Sequence, residues 1–155
     1  MASNPPADTF DLLYRAHAPS VFRRAHALLA DEADAQRVVS DVFGLLYDRP
    51  ERYRGRARLS RQLYALTTRA CFNRLRSRKL QRKRQPAADG GESDRASALR
   101  ALLDRLQEPL DQLAVYYYLD ELTQEEVTEL LGCSRRRMTS LLARLESSTR
   151  NPEDR

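Results

Sequence analysis

The chain has 155 residues, and a hydrophobic fraction of 41% is enough for modest cores but not for a large buried active site. Its formal net charge is +5 at pH 7, and that charge is unevenly distributed, since 13 Lys and Arg residues lie between Arg52 and Ala88 with no Asp or Glu among them. A polyanion is the natural partner of such a stretch. Two distant cysteines, Cys71 and Cys133, argue against a disulfide framework or a metal cluster, and we expect both to be reduced core residues.

Several classes of protein are disfavoured by what the sequence lacks. No apolar run is long enough to span a membrane and no secretion signal is recognisable, so we expect no membrane insertion and a cytoplasmic location. The two histidines, His17 and His26, have no convincing Cys, Asp or Glu constellation around them. We therefore predict no metal site, no cofactor and no catalytic residues, and not an enzyme.

The fold is predicted to be all-α, because β-branched residues are sparse while Leu, Ala, Arg and Glu dominate. Asp8 and Asp11 can cap a first helix. Pro19 is then expected to break that helix or to begin the next segment, 20–29.

A second helix is predicted after Asp31, a favourable N-cap residue. Its buried face would consist of Val38, Val39, Val42, Phe43, Leu45 and Leu46. Asp34, Arg37 and Asp41 recur at spacings of three and four, so we expect them on a polar face that is available to solvent or to a partner.

A long third helix is predicted over 60–78, with one apolar face and one basic face. The apolar stripe would consist of Leu59, Leu63, Leu66, Ala70 and Leu75. Tyr53, Tyr64 and Phe72 are interleaved with the arginines, a composition suited to phosphate contact and base stacking on single-stranded DNA. A solvated basic face with core aromatics is the alternative interpretation.

Residues 85–97 contain Pro, paired Gly and small polar residues without an apolar period, which indicates a flexible linker between two domains. Beyond it, Leu99, Leu102, Leu103 and Leu106 mark one helix, and Leu110, Leu113, Tyr117 and the Tyr116 to Tyr118 cluster mark another. Pro109 lies between these two predicted helices and separates them.

The most specific pattern in the sequence lies between Leu122 and Glu146. Thr123 and Glu126 form a capping box, and Gly132 supplies a turn before Ser134 caps a second helix. In that helix Met138, Leu141, Leu142 and Leu145 can pack on Val127, Leu130 and Leu131, leaving Arg135, Arg136, Arg137, Thr139, Ser140 and Arg144 for other contacts. This is helix-turn-helix organisation, whose second helix reads the major groove. The alternative is a helical hairpin with solvated arginines.

Charge favours the DNA-binding interpretation of this segment. Residues 89–133 contain 11 acidic and 3 basic residues, whereas 134–155 contain 6 basic and 3 acidic residues. The positive charge thus appears at the predicted reading helix, an arrangement that solubility alone does not require.

The order of these elements is similar to a known family. Two segments resemble the second conserved region of sigma factors, and they are TFDLLYRAHAPSVFRRAHALLADEADAQRVVSDVF and LSRQLYALTTRACFNRLRSRK. The helix-turn-helix resembles the fourth conserved region. The chain resembles the extracytoplasmic-function group of the sigma-70 family over most of its length. This resemblance implies two small helical domains, a region 2-like bundle at 8–84 and a region 4-like helix-turn-helix at 98–149, joined by the linker at 85–97.

The resemblance also implies a function, that of an RNA polymerase sigma factor directing promoter-specific transcription initiation. Binding to core RNA polymerase would involve Asp34, Arg37, Ser40 and Asp41. The minus-ten element of promoter DNA would contact Arg54, Arg58, Arg61, Arg69, Asn73 and Arg76. The minus-thirty-five element would contact Arg135, Arg136, Arg137, Thr139, Ser140 and Arg144. An anti-sigma factor is the expected regulatory partner.

Some residues depart from the family's pattern. The polymerase-binding helix usually carries an acid, two apolar residues, Gln and an acid, whereas this chain has RVVSD at 37–41. The usual Trp of the basic helix is Gln62, and the usual Arg-Asn pair is Thr68 and Arg69. In the helix-turn-helix, Leu141 stands at a usually basic position. These differences support two alternatives: a divergent sigma-like DNA-binding or partner-binding regulator without productive initiation, and a helical interaction module.

Overall fold

The described part of the chain consists of helices and the short segments that connect them. A computed structural model describes residues 7–49, 56–84, 101 and 103–150, and no strand occurs in these ranges. The chain divides into two compact units, Met1–Pro86 and Ala87–Arg155. The predicted all-α class is confirmed, whereas the predicted linker at 85–97 lies outside the described residues.

The described part of the first unit forms three helices, α1 (Ala7–Leu29), α2 (Glu32–Asp48) and α3 (Arg56–Arg84). Each of them contacts the other two. Within the core, Leu59 and Leu63 of α3 are buried, and the rest of the predicted α3 stripe, Leu66, Ala70 and Leu75, packs against the core in partly buried positions. The third helix extends beyond the predicted 60–78 at both ends.

The predicted helix break at Pro19 is wrong, because α1 continues through this residue. A proline inside a helix lacks the N–H group that would bond to the carbonyl four residues earlier, at a cost of about 3 kcal/mol. Phe10 packs against the core before the proline, and Val21 and Ala25 are buried after it. Burial of both halves in one core offsets the missing hydrogen bond. Asp8 and Asp11 lie inside α1 rather than ahead of it.

The predicted face of α2 is buried except at one position. Asp31 is the N-cap, and its side chain accepts a hydrogen bond from the Asp34 N–H at 2.8 Å, as predicted. Val38, Val39, Val42, Phe43 and Leu46 are buried. Leu45 is 50% exposed, so its assignment to the core is wrong. At 100° per residue it lies at the edge of the buried arc, where it lines an open groove beside Leu66 and Ala70 of α3.

Within the described part of the second unit, residues 101 and 103–105 are helical, and three further α-helices and a π-helical turn follow. They are α4 (Leu110–Ala114), the turn Val115–Leu119, α5 (Gln124–Leu131) and α6 (Arg135–Thr149). Its buried apolar residues include Leu106, Leu110, Leu113, Val115, Tyr116, Val127, Met138, Leu141, Leu142 and Leu145. The predicted Leu99 and Leu102 lie outside the described residues.

The tyrosine that enters the core of the second unit is Tyr116, not Tyr117. Tyr116 is fully buried, whereas Tyr117 is 38% exposed. All residues from 110 to 116 are buried, so this segment has no single buried face from which the 3.6-residue period could select a tyrosine. Among the described helices, none combines the length and the apolar character that crossing a membrane requires.

Candidate nucleic-acid interface

The helix-turn-helix of the second unit is built from the caps that the sequence predicts. Thr123 and Glu126 form a reciprocal capping box at the start of α5. Gly132 ends α5 in the left-handed conformation with φ 60°, which a side chain would strain. Ser134 accepts a hydrogen bond from the Arg137 N–H at the start of α6. These local interactions fix the angle at which α6 leaves the turn.

All six predicted reading residues of α6 are exposed. They are Arg135, Arg136, Arg137, Thr139, Ser140 and Arg144. At 100° per residue, Arg136 and Ser140 lie opposite the buried stripe that contains Met138 and Leu145. None of the four arginine side chains forms an ion pair with another residue in the described ranges, so their charge is available to a polyanion.

Leu141 explains one departure from the family's pattern. It is 4% exposed and belongs to the core of this unit, where a basic side chain would be costly. In this chain the basic residues of α6 occupy the neighbouring exposed positions instead. A shallow groove along α6 is lined by Ser134, Arg136, Arg137, Ser140, Leu141 and Arg144.

In the first unit, α3 carries the residues predicted for the minus-ten element. Arg58, Arg61, Arg69 and Asn73 are exposed, and Arg76 is half-buried and donates to Asn73 Oδ1 at 3.1 Å. Their spacings of three, four, seven and eight residues put them on one side of α3. Arg54 lies outside the described residues.

The two described aromatic residues of α3, Tyr64 and Phe72, do not form an open stacking face. Phe72 is buried. The Arg24 guanidinium of α1 lies 3.7 Å from the centre of the Tyr64 ring. Tyr53 lies outside the described residues. The alternative that these aromatics are core residues therefore holds for Phe72.

The positive charge of α3 is partly neutralised by α2, although the local sequence contains no acid. Arg78 Nε donates to Asp34 Oδ2 at 2.7 Å, and Arg78 Nη1 donates to the Leu29 carbonyl at 3.1 Å. Arg74 forms an ion pair with Asp41 at 3.3 Å. Two arginines of the basic stretch are thus used to hold the helices together.

Asp34 is not on an open polar face, and that prediction is wrong. Its side chain is 12% exposed and also accepts from Arg37 at 3.1 Å. Burial acts to raise the pKa of Asp34, but the hydrogen bond and charge of Arg78, assisted by Arg37 and Arg74, outweigh burial and hold it below the usual carboxyl value. Asp34 is therefore a charged anchor between helices.

The other three residues predicted to bind the polymerase are exposed on α2. The Arg37 side chain is 63% exposed, and Asp41 is exposed although it is paired with Arg74. Ser40 donates to the Gln36 carbonyl at 3.2 Å. The face therefore carries an arginine beside a carboxylate that an α3 arginine already neutralises.

Sequence reasoning missed the contact between Arg24 and α3. Arg24 Nε donates to Thr68 Oγ1 at 2.9 Å, across 44 positions of the chain. No local pattern indicates this pair. The unusual Thr68 was the available signal, because a small buried hydroxyl leaves room for a side chain from another helix.

Comparison with known proteins agrees with the arrangement of the first unit. Residues 13–81 match the family model of sigma-70 region 2. No curated protein sequence matches the chain. Among solved structures, the chain is similar to the sigma factor RpoE from Bartonella quintana, seen in a co-crystal with the anti-sigma factor NepR. The TM-score is 0.53 at 14% sequence identity, over 92% of this chain and 94% of RpoE.

The region 2 match covers α2, nearly all of α3 and most of α1, the helices that carry the ion pairs described above. It also agrees with the prediction that the chain is not an enzyme. The similarity to RpoE agrees with the all-helical fold at low sequence identity. Residues 13–81 therefore match sigma-70 region 2, and the fold of the chain is similar to that of a solved sigma factor.

Proposed function

We propose that this chain directs promoter-specific transcription initiation, with α3 contacting the minus-ten element and α6 reading the minus-thirty-five element. The observation that carries the proposal is the capped helix-turn-helix, whose second helix exposes four arginines that pair with no described residue. Arginine can contact guanine edges through two hydrogen bonds, and serine or threonine can reach bases or phosphates. On α3, the exposed Arg58, Arg61 and Arg69 supply phosphate contacts.

Core RNA polymerase would bind the exposed face of α2 that contains Arg37, Ser40 and Asp41. Asp34 supports this face from beneath, since its pairing with Arg78 fixes the start of α2 against α3. The partner surface would have to accommodate an arginine where the family usually presents an acid. Arg37 would attract the polymerase surface if an acidic side chain lies opposite it, and would repel that surface if a basic side chain lies there.

An anti-sigma factor is the regulatory partner that we include in this proposal. The similar RpoE structure is a complex with the anti-sigma factor NepR. A protein that covers both units of this chain would prevent contact with polymerase and with DNA together. Two linked contacts of this kind bind more tightly than either one alone.

The proposal is tested by gel filtration of the purified chain with core RNA polymerase from its own organism, followed by promoter-dependent transcription. The natural chain and an Arg37→Asp variant, which restores the usual charge, are compared. Arg15→Asp is a matched control, since Arg15 is an exposed arginine on α1. Co-elution and transcription by the natural chain are expected, and absence of both in every variant would contradict the proposal.

A divergent regulator without productive initiation is the second candidate function. Arg37 favours it, because a charge opposite to the usual one lies on the predicted polymerase-binding face. This candidate predicts DNA binding that falls steeply with salt but no transcription. Co-elution of Arg37→Asp alone would support it.

A further inference from the structure

An open groove runs between α2 and α3 in the first unit. Its floor is apolar and consists of Leu45 of α2 with Leu66 and Ala70 of α3. Half of the Leu45 surface is exposed, so the floor can be covered from outside. The volume is about 310 Å³, at the lower end of the roughly 300–1,000 Å³ of ligand sites. The groove therefore has room for an apolar group that the chain itself does not supply.

Gly44, which precedes Leu45 on α2, is a glycine that the described fold does not require. It lies in the interior of a helix, where glycine is less stable than alanine. Its backbone is helical, so the left-handed conformation that glycine permits is not used here. A Cβ at this position would meet nothing within 4 Å. Close approach of another chain to α2 would require the missing side chain, and the packing of the first unit does not.

Ser40 extends this low surface by one helical turn. Ser40 and Gly44 are four residues apart, so they are neighbours on one face of α2, and both are exposed. The Ser40 hydroxyl donates to the Gln36 carbonyl of its own helix at 3.2 Å. A second helix can therefore lie close to α2 along Ser40 and Gly44 while its side chains enter the groove beside Leu45.

The side chains around the groove carry an excess of positive charge. The lining includes two arginines, Arg69 and Arg74, and one carboxylate, Asp41. Asp41 forms an ion pair with Arg74 at 3.3 Å, which neutralises this carboxylate. Arg37 lies one turn before Asp41 on α2, and its side chain is 63% exposed. A partner with carboxylates on either side of an apolar residue is complementary to this surface.

The composition of the groove favours a protein partner over DNA. Bases of single-stranded DNA are held mainly by stacking on aromatic rings, and no aromatic side chain lines the groove among the described residues. An apolar floor is instead suited to burying an aliphatic side chain. An amphipathic helix presents such a side chain together with carboxylates at spacings of three and four residues.

We propose that the groove binds an acidic amphipathic helix of a protein partner, which lies along Ser40 and Gly44 and places a large apolar side chain over Leu45. Its carboxylates face Arg37 and Arg69. An acid at position 37, which the family usually has, would repel this helix, so Arg37 selects partners of the opposite charge. The inference goes beyond the proposed function, because Gly44 and Leu45 belong to none of the proposed contacts with polymerase or DNA.

The test measures the binding of two labelled synthetic helical peptides to the full-length chain by fluorescence anisotropy. One peptide has leucines on one face and glutamates on the other, and the second has lysine in place of every glutamate. The natural chain is expected to bind the acidic peptide about tenfold more tightly than the basic one. Gly44→Leu covers the low surface of α2 and should weaken binding of the acidic peptide about tenfold.

Two further variants make the result specific to this face. Ala16→Leu is the matched control, because it also enlarges an exposed small residue of a first-unit helix, on α1 and away from the groove lining. It should leave the affinity for the acidic peptide unchanged. Gly44→Ala should raise the unfolding temperature and still weaken binding of the acidic peptide, a combination that a purely structural role of Gly44 does not produce.

Equal affinity for the two peptides, or an undiminished affinity of Gly44→Leu for the acidic one, would overturn the inference. A DNA oligonucleotide whose binding is weakened by Gly44→Leu as much as that of the acidic peptide would identify a nucleic-acid site, and would overturn it as well. Failure of the proposed function is observed separately, by co-elution with core RNA polymerase and by transcription, and the peptide measurement depends on neither.

Discussion

Arg78 and Asp34 form an ion pair that fixes three helices at one point, since the same guanidinium also donates to the Leu29 carbonyl at the end of α1. Both side chains are largely covered, with 21% and 12% of their surfaces exposed. Removing the charge of Asp34 leaves the largely covered Arg78 with only the more distant carboxylate of Asp31, at 3.6 Å. Asp34→Asn is expected to lower the free energy of unfolding by about 1–3 kcal/mol, measured by urea denaturation.

The control for this prediction is the exposed pair between Asp11 and Arg15, whose side chains are 57% and 76% accessible. Arg15→Ala should cost no more than about 1 kcal/mol, because water screens the pair. Equal losses in the two variants would show that the position of Asp34 between helices confers no special stability.

The stabilisation from Asp34 should depend on pH. Its pKa is lower in the folded chain than the ordinary value of 3.8, so the carboxylate contributes fully above that value. As the pH falls through the folded pKa, protonation removes the contribution. The difference in unfolding free energy between the natural chain and Asp34→Asn should be constant near neutral pH and shrink below about pH 4. A difference that grows on acidification would contradict the lowered pKa.

The two described glycines that lie in or beside helices should respond oppositely to alanine. Gly132 has φ 60°, where a Cβ is strained, so Gly132→Ala should destabilise the second unit by about 1–2 kcal/mol. Gly44 lies within α2 and a Cβ there meets nothing within 4 Å, so Gly44→Ala should stabilise the first unit by about 0.5–1 kcal/mol. Thermal unfolding monitored by circular dichroism measures both, and a loss of stability in Gly44→Ala would contradict the prediction.

The two cysteines should differ in reactivity. Burial raises the pKa of the Cys71 thiol to about 12, against a smaller opposing effect of the Arg24 charge, so almost no thiolate is present at neutral pH. Cys133 is only half-buried. Iodoacetamide followed by mass spectrometry should modify Cys133 in the folded chain and Cys71 only after denaturant is added. Rapid modification of Cys71 without denaturant would show that the first unit opens readily.

Arg136 should be the most sensitive basic residue of α6 toward duplex DNA, because it lies opposite the buried stripe. Arg136→Ala is expected to cost about 1–3 kcal/mol on the cognate minus-thirty-five duplex if it contacts a base, and to relax specificity there. Arg105→Ala changes an exposed arginine outside α6 and should have little effect. Salt-dependent binding isotherms distinguish the two, and a uniform loss on every sequence would indicate a phosphate contact instead.

The sequence predicts most of what local chemistry determines. Asp31, Thr123, Gly132 and Ser134 are caps or turns whose hydrogen bonds span a few residues, and all four occupy those roles in the structure. The helix-turn-helix is recognisable for this reason. Its apolar stripe on α6 follows the helical period and is buried as predicted.

Contacts between distant segments could not be predicted in this way. Two such contacts join residues that are 44 positions apart, Arg24 with Thr68 and Arg78 with Asp34. Because the α3 segment is basic along its whole length, its sequence does not show which arginine pairs with an acid of another helix. The break expected at Pro19 failed for the same reason, since the core that holds both halves of α1 is assembled from α2 and α3. The proposed contacts of the exposed residues with RNA polymerase and with promoter DNA stay predictions.

The unbroken length of α3 fixes the distances between its basic side chains. From Arg58 to Arg76 the helix rises about 27 Å at 1.5 Å per residue, close to eight steps of a DNA strand at 3.4 Å per step. Because these side chains are attached to one uninterrupted helix, their spacing along it is fixed. Insertion of one residue between Arg61 and Arg69 would rotate the C-terminal part of α3 by about 100° relative to its N-terminal part. The basic residues would then lie on two different sides of the helix. In the proposed contact with the minus-ten element, the strand would therefore conform to the protein along this distance.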